Sequence, residues 1–273
     1  MSRRLPRLYV EGIAFWTPAL PGWERARDAF RGTAGAEDPP ARRPSPQLLP
    51  AAERRRASDI IALSLEVAAA AVAASGREPA TLPSIFVSAH GDLAISDWMC
   101  SQLAADPALV SPTKFHNSVH NAPVGYWTIA TGCMQASTAL TAFERSFAAG
   151  MLEAAVQCVA DVGPVLLVGC DVPACGPLAT INRSRGHLAA ALVLAPQLTP
   201  RSSCGLDMQL VDATADGATA ARHPVSTSLA GNGLADALPL FEALAAVEIG
   251  SPGRILLPLV DAMSLELTLE AVP

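Results

Sequence analysis

Lysine is almost missing from this chain: Lys114 is the only one, and the rest of the positive charge is arginine. Charged residues make up 16% of the chain and the net charge is −6, so no basic field suited to a nucleic acid is present. The small clusters Arg3-Arg4 and Arg54-Arg55-Arg56 read as solvated turns and a helix start. Aromatic residues are scarce at 5%, while alanine crowds positions 51–80 and 139–160. The apolar content therefore comes with little bulk and points to closely packed helices. Six cysteines (100, 133, 158, 170, 175 and 204) form no CxxC pair, which argues against a disulfide framework or a zinc site and for a reduced, cytoplasmic protein. A GxSxG elbow is lacking, as are the P-loop and dinucleotide glycine signatures, so no cofactor and no metal is expected. No membrane span is expected either: the longest apolar run, 60–74, is short and interrupted by Glu66. The arginines at the start precede no apolar core, so no signal peptide is expected.

What is present suits an ordered globular protein. A chain of 273 residues buries roughly 70–75% of its unfolded surface and needs neither disulfides nor metal. The first strand is expected at 8–15, followed by a turn at Pro18 and Pro21 and a helix over 23–30. Residues 32–50 (GTAGAEDPPARRPSPQLLP) read as a mobile surface loop. A long helix is expected from Ala52 to Ser75, capped by Gly76, then a buried strand at 84–89 and a helix over 96–105. The segment from Val110 to Gly132 is polar, aromatic and rich in Pro, Asn and Gly, and reads as an irregular loop that builds a site or an interface. From Ser137 or Thr138 a largely buried helix is expected to run to Cys158, because Leu140, Phe143, Phe147, Met151, Ala154 and Cys158 recur at spacings of three and four. Apolar strands at 164–170 and 187–195, a helix over 235–246, and strands at 255–260 and 265–269 complete a layered α/β pattern.

Few residues carry chemistry. His90 reads as a loop-packing residue. His116 and His120 are four apart but lie where a helix is not expected, and no third ligand accompanies them. Cys133 is the candidate nucleophile: placed between a glycine turn and a helix start, its thiol would be activated by peptide N–H groups. His116 or His120 would then serve as its base.

The order of motifs resembles the N-terminal half of a β-ketoacyl synthase, a condensing enzyme of the thiolase fold. Ser111-Pro112, Asn121, Gly125 and Thr128-Ile129 fall like that family's Ser-Pro, Asn, Gly and Ser-Ile series. Ser146-Phe147-Ala148-Ala149-Gly150 sits like the start of its buried central helix. LLVGCDVP and GHLAAALVLAP resemble the strands that follow, and YVEGIAFWTP with Trp23 and Phe30-Arg31-Gly32 its first strand and helix. The resemblance covers about the first 200 residues. It implies an α/β, thiolase-like layered sandwich of the α-β-α-β-α type, formed by one domain over 1–273 with a shortened, divergent C-terminal part at 196–273.

Two departures bear on activity. With Gly150 in register, the family's nucleophilic cysteine falls at Ala142, with Phe143 beside it, and neither can form a thioester. After residue 195 the chain offers only His223 where the family places two catalytic histidines. The resemblance therefore implies a non-catalytic subunit of the chain-length-factor type, like the short ketosynthase-like proteins of aryl-polyene and xanthomonadin-type pigment systems. Such a subunit pairs with a catalytic ketosynthase as a heterodimer, meets an acyl carrier protein transiently and limits chain growth by steric bulk. The tunnel or interface candidates are His120, Asn121, Tyr126, Trp127, Phe143 and Phe147, with ordinary helix core the competing reading for the two phenylalanines. An active acyltransferase or condensing enzyme using Cys133, and a purely structural scaffold, stay open beside it.

Overall fold

The computed structural model describes residues 3–33, 39–182, 184–213, 217–247 and 251–272. Its ten strands form one mixed sheet with the order β5-β4-β6-β7-β2-β8-β10-β9. These strands are β2 (Leu8–Thr17), β4 (Ser84–Val87), β5 (Ser137–Leu140), β6 (Val165–Asp171), β7 (Leu188–Ala195), β8 (Cys204–Asp212), β9 (Gly253–Val260) and β10 (Met263–Ala271). The short strands β1 (Arg3–Arg4) and β3 (Leu20–Pro21) pair with β8 and β2. Three of the central strands, β4, β6 and β7, are buried at every residue, as strands covered on both faces must be.

Nine helices are described: α1 (Trp23–Phe30), α2 (Ala51–Arg56), α3 (Asp59–Ser75), α4 (Leu93–Ala105), α5 (Pro112–Asn117), α6 (Ala122–Thr131), α7 (Ser146–Ala160), α8 (Pro224–Ser228) and α9 (Leu238–Val247). α3 and α6 cover one face of the sheet around Trp16, Phe86, Leu166 and Val168. α7 and α9 lie against the other face, and Phe15, Phe147 and Phe241 meet there with ring centroids 5.4 and 5.9 Å apart. The sheet turns over these helices, so Met208, Ile255, Leu257, Leu265 and Leu267 close the same core from the opposite side. Four layers result, α-β-α-β. No helix among the described residues forms a fifth layer; the outer face of β8-β10-β9 carries a polar ladder instead. Arg254 and Gln209 bond Glu266, and Arg7 bridges Asp207 and Glu270. No helix of the described residues is long and apolar enough to cross a membrane.

Several local expectations are corrected. The helix expected over 52–75 is two helices, because Ala57 and Ser58 are extended. α3 buries most of its circumference, and the arginine run could not follow it inward without stranding charge. Gly76 does cap α3, in the left-handed conformation. The stretch 110–132 is helical: Ser111 caps α5 through the Lys114 amide, and Pro112 and Pro123 lie in first turns, where a missing N–H costs nothing. The helix expected from 137 starts only at Ser146. Residues 137–140 form the edge strand β5, parallel to β4, so neither Ser137 nor Thr138 is a helix cap. The strand β8 was not expected, although Cys204, Leu206 and Met208 alternate as a half-buried strand should. Of the loop expected at 32–50, residues 34–38 lie outside the described residues. Positions 39–50 have no regular structure and are held by buried Leu49 and by the Ala41 amide on the Pro18 carbonyl, 2.7 Å.

The alanine surplus has a geometric use. α3 lies so close to β2 that a Cβ on Gly12 would stand 2.1 Å from the Ala71 carbonyl oxygen. Because the obstacle is backbone, Gly12→Ala is expected to destabilise the fold by about 1–3 kcal/mol, the usual range for overpacking. A thermal melt shows this as a Tm several degrees lower, and an unchanged Tm contradicts the contact.

Candidate functional site

β5 runs out at Leu140 and the chain turns at Ala142 and Phe143 into α7, a strand-to-helix elbow. Phe143 adopts φ 51°, a left-handed conformation unusual for a bulky L-residue. The elbow is fixed from inside: the Ala142 amide donates to Ser146 Oγ (2.9 Å), and that hydroxyl donates to the Phe143 carbonyl (2.7 Å). The Phe143 side chain is 71% exposed, its ring 6.4 Å from that of His90. Phe143 is therefore presented to the surroundings and, like Ala142 beside it, carries only hydrocarbon.

Two buried acids lie near this elbow, and sequence reasoning missed both. Asp236 Oδ2 accepts the Ala148 amide at 2.9 Å, in the first turn of α7. Its other oxygen, Oδ1, is buried without a hydrogen-bond partner among the described residues, and burial pushes the carboxyl up to about 7. Asp171, at the end of β6, accepts Ser88 Oγ (2.9 Å) and the Ala89 amide (2.8 Å), and burial raises it to about 6. Beside the elbow is a cavity of about 650 Å³ lined by His90, Glu144, Arg145, Ser226, Asn232 and Asp236, among others. Burial lowers the pKa of His90 and so favours its neutral form. Asp171 closes an apolar run that reads as strand, and Asp236 sits in GLADAL with no local signal of its own.

The α5–α6 segment holds the other sequence candidates. His116 is exposed, 6.2 Å from the Tyr126 ring. His120 Nε2 lies 3.1 Å from the Ser88 carbonyl oxygen, between α5 and α6. Asn121 is exposed at the head of α6 and makes no side-chain capping bond. Tyr126 donates to Asn117 Oδ1 at 3.1 Å, and burial, with Glu53 nearby, raises its pKa. His116, Asn121 and Tyr126 line an apolar cleft of about 830 Å³ between α2 and α6. Trp127 and Phe147 do not join them: both are core residues, 1% and 0% exposed.

Cys133 does not have the setting expected of it. No helix starts after it; it follows Gly132 at the C-terminal end of α6, so no helix N-terminus faces its thiol. It is 4% exposed and its Sγ points at the Leu82 carbonyl, 3.4 Å away. His223 caps α8 through Nδ1 and packs on Phe30. Among the described residues no cluster of three or more metal-ligating side chains exists.

Two measurements check this site. Iodoacetamide on the native protein is expected to modify Cys100, which is exposed, and to spare Cys133; rapid labelling of Cys133 would contradict its burial. Asp236 binds a proton in the folded state that the unfolded chain releases near pH 4, so the associated stability is full below that pH and lost as pH rises through about 7. Asp236→Asn keeps an acceptor for Ala148 and removes the charge. The variant is expected to gain on the wild type by ~1 kcal/mol or more between pH 5 and pH 8 in urea titrations. Parallel pH profiles would refute the assignment.

Comparison with known proteins agrees with this architecture. Residues 23–244 match the family model of the β-ketoacyl synthase N-terminal domain. Similar solved structures include a ketosynthase (ApeO) in complex with its chain length factor (ApeC) from Xenorhabdus doucetiae, 20% identical over 96% of this chain and 98% of that one, TM-score 0.70. The ishigamide ketosynthase/chain length factor is 13% identical over 97% and 99%, TM-score 0.76. A β-ketoacyl synthase from Burkholderia phymatum STM815 is 10% identical over 98% and 100%, TM-score 0.72. The search of curated proteins returns no match. At these identities the solved structures establish the fold, which is the thiolase-like ketosynthase fold, and the family model covers well over half of the sequence: the chain belongs to the β-ketoacyl synthase N-terminal domain family.

Proposed function

We propose that this chain is the non-catalytic member of a ketosynthase pair, acting in the cytoplasm and limiting the length of a polyene or polyketide chain, as in aryl-polyene pigment synthesis. The observation that carries the reading is Phe143: the strand-to-helix elbow at the head of the buried helix holds a phenyl ring and no nucleophile. The neighbouring residue is alanine, and Cys133 is buried elsewhere.

The surface supports a partner. Seven of the twelve exposed large apolar side chains among the described residues fall between 93 and 143: Leu103, Leu109, Phe115, Val119, Ile129, Met134 and Phe143. β5, the edge strand of the sheet, belongs to the same stretch, and its outer side carries unpaired backbone groups. An apolar face beside an open strand edge suits a ketosynthase subunit that continues the sheet. Phe143 and Tyr126 then stand where their bulk limits a growing chain contributed from the partner's side.

Co-expression with a candidate ketosynthase is expected to give a heterodimer on size-exclusion chromatography. Ile129→Glu with Met134→Glu, at side chains 83% and 94% exposed, is expected to abolish it without lowering Tm. The chain alone, given carrier-bound acyl and malonyl substrates, is expected to condense nothing; turnover by the isolated chain refutes the reading. Phe143→Ala in the heterodimer is expected to lengthen the product. An unchanged length distribution would favour a scaffold that stabilises the ketosynthase without touching the acyl chain.

A further inference from the structure

We propose that the open edge of β2 is a peptide-binding slot, which takes up an extended segment of a partner protein carrying lysine or arginine at alternate positions and adds it to the sheet as a strand. β4, β6 and β7 lie between β2 and β5, so the slot is separate from the face given above to the ketosynthase. Its origin is a gap in strand pairing. β8 pairs with β2 only at Leu8, Tyr9 and Val10, and β3 joins only at Trp16 and Thr17. Over residues 11–15, about 17 Å of strand, no described strand lies on that side.

The facing of the backbone follows from one bond. The Phe15 carbonyl accepts the Gly22 amide at 3.0 Å, so Phe15, and Ile13 two residues before it, turn their backbone groups away from β7. The amide and carbonyl of Ile13 and the amide of Phe15 have no partner there among the described residues, although the two residues are only 8% and 1% exposed. Recessed, unpaired backbone groups favour a ligand whose own backbone bonds them. Residues 12–16 all line one cavity of about 650 Å³. Consecutive strand residues point to opposite faces, so five in a row border one space only where the strand shows its edge.

The walls identify the occupant. α3 supplies Glu66, Val67 and Ala70, and α1 supplies Trp23 and Glu24. The two helices cover opposite faces of β2: Ala14 and Trp16 share a core with α3, and Ile13 and Phe15 share one with α1. A slot between two helical layers admits a single extended chain, whereas the sheet edge of a second copy brings its own helices and is kept out. Glu66 is the only charged residue of α3 beyond Asp59. It is half-buried, burial raises its pKa, and no hydrogen bond or ion pair reaches it among the described residues. The arginines of the cavity have acidic neighbours: Arg27 bonds Asp28 at 3.1 Å, and Arg201 helps to lower the pKa of Glu11. A basic side chain of the bound strand therefore meets an unpaired carboxyl group on the α3 side, and the alternate side chains, turned the other way, meet Trp23.

The test uses the full chain and a fluorescein-labelled nonapeptide alternating lysine and valine. Saturable binding is expected in anisotropy titrations, with at least ~10-fold weaker binding when glutamate replaces lysine in the peptide. Glu66→Lys is expected to reverse that preference, and Ala70→Trp, at an exposed position of the wall, to abolish binding with Tm unchanged. Hydrogen exchange on the wild type needs no variant. The lysine peptide is expected to slow exchange of the Ile13 and Phe15 amides by at least ~10-fold, while Gly12 and Ala14, which face β7, change little. An absence of binding, an equal Kd for the wild type and both variants, or protection that leaves Ile13 and Phe15 unchanged overturns the proposal. So does a dimer of the chain that Ala70→Trp dissolves, since the slot would then serve a second copy.

Discussion

A helix whose first turn is buried must find acceptors for its first N–H groups inside the protein, and the head of α7 is organised around that need. Phe147, Ala148, Gly150, Met151, Ala154 and Cys158 are fully or almost fully buried between the two parts of the sheet. Ser146 Oγ bonds the chain entering the helix and Asp236 Oδ2 accepts the Ala148 amide, so the first turn finds its acceptors inside the protein. The close quarters extend along the helix: a Cβ on Gly150 would lie 2.6 Å from Val87 Cγ1. The elbow geometry of Phe143 follows, because the chain must leave edge strand β5 and enter a helix that lies deep between layers within a few residues.

The same enclosure explains how a short chain completes this fold. α7 and α9 need a second apolar wall, and β8, β10 and β9 supply it with alternate residues. Their other face has no helical cover among the described residues, so its residues must satisfy one another. Glu266 is 7% exposed and would be costly to bury alone; bonds from Arg254 and Gln209 hold its pKa below the ordinary carboxylate value. The polar ladder thus stands in for a helical layer. It also separates the two kinds of surface on the molecule: a self-satisfied polar face over β8-β10-β9, and an open, apolar face around β5 and α4 to α6.

Much of this was legible in the amino-acid order, and the failures have physical causes. Strands β2, β6 and β7 are long apolar runs that only a doubly covered sheet explains, and Gly76 marks the end of α3 by its left-handed conformation. The helix expected at 137 failed because Leu140 and Phe143 keep a helical spacing from Phe147 by coincidence; pairing with β4 over Ser84–Val87 decides the strand. Prolines 112 and 123 were read as breaks when they are starts, an ambiguity that a proline alone does not resolve. For the site, Ala142 and Phe143 are read directly from the sequence. Asp171 and Asp236 were not, since they lie 65 positions apart and only the closed fold brings both toward the head of α7.

Those two acids also argue about what the cavity beside the elbow does. A carboxyl near 6 and another near 7, near a His90 whose pKa burial lowers, are groups of the kind that serve proton transfer in an enzyme. Here each has a structural occupation instead. Asp171 gathers the Ser88 hydroxyl and the Ala89 amide to shape the turn after β4, and Asp236 holds the helix head. Their raised pKa values measure how completely the fold has closed over them, not a reaction in progress. The perturbed acids therefore belong to the scaffold that shapes the turn after β4 and the head of α7.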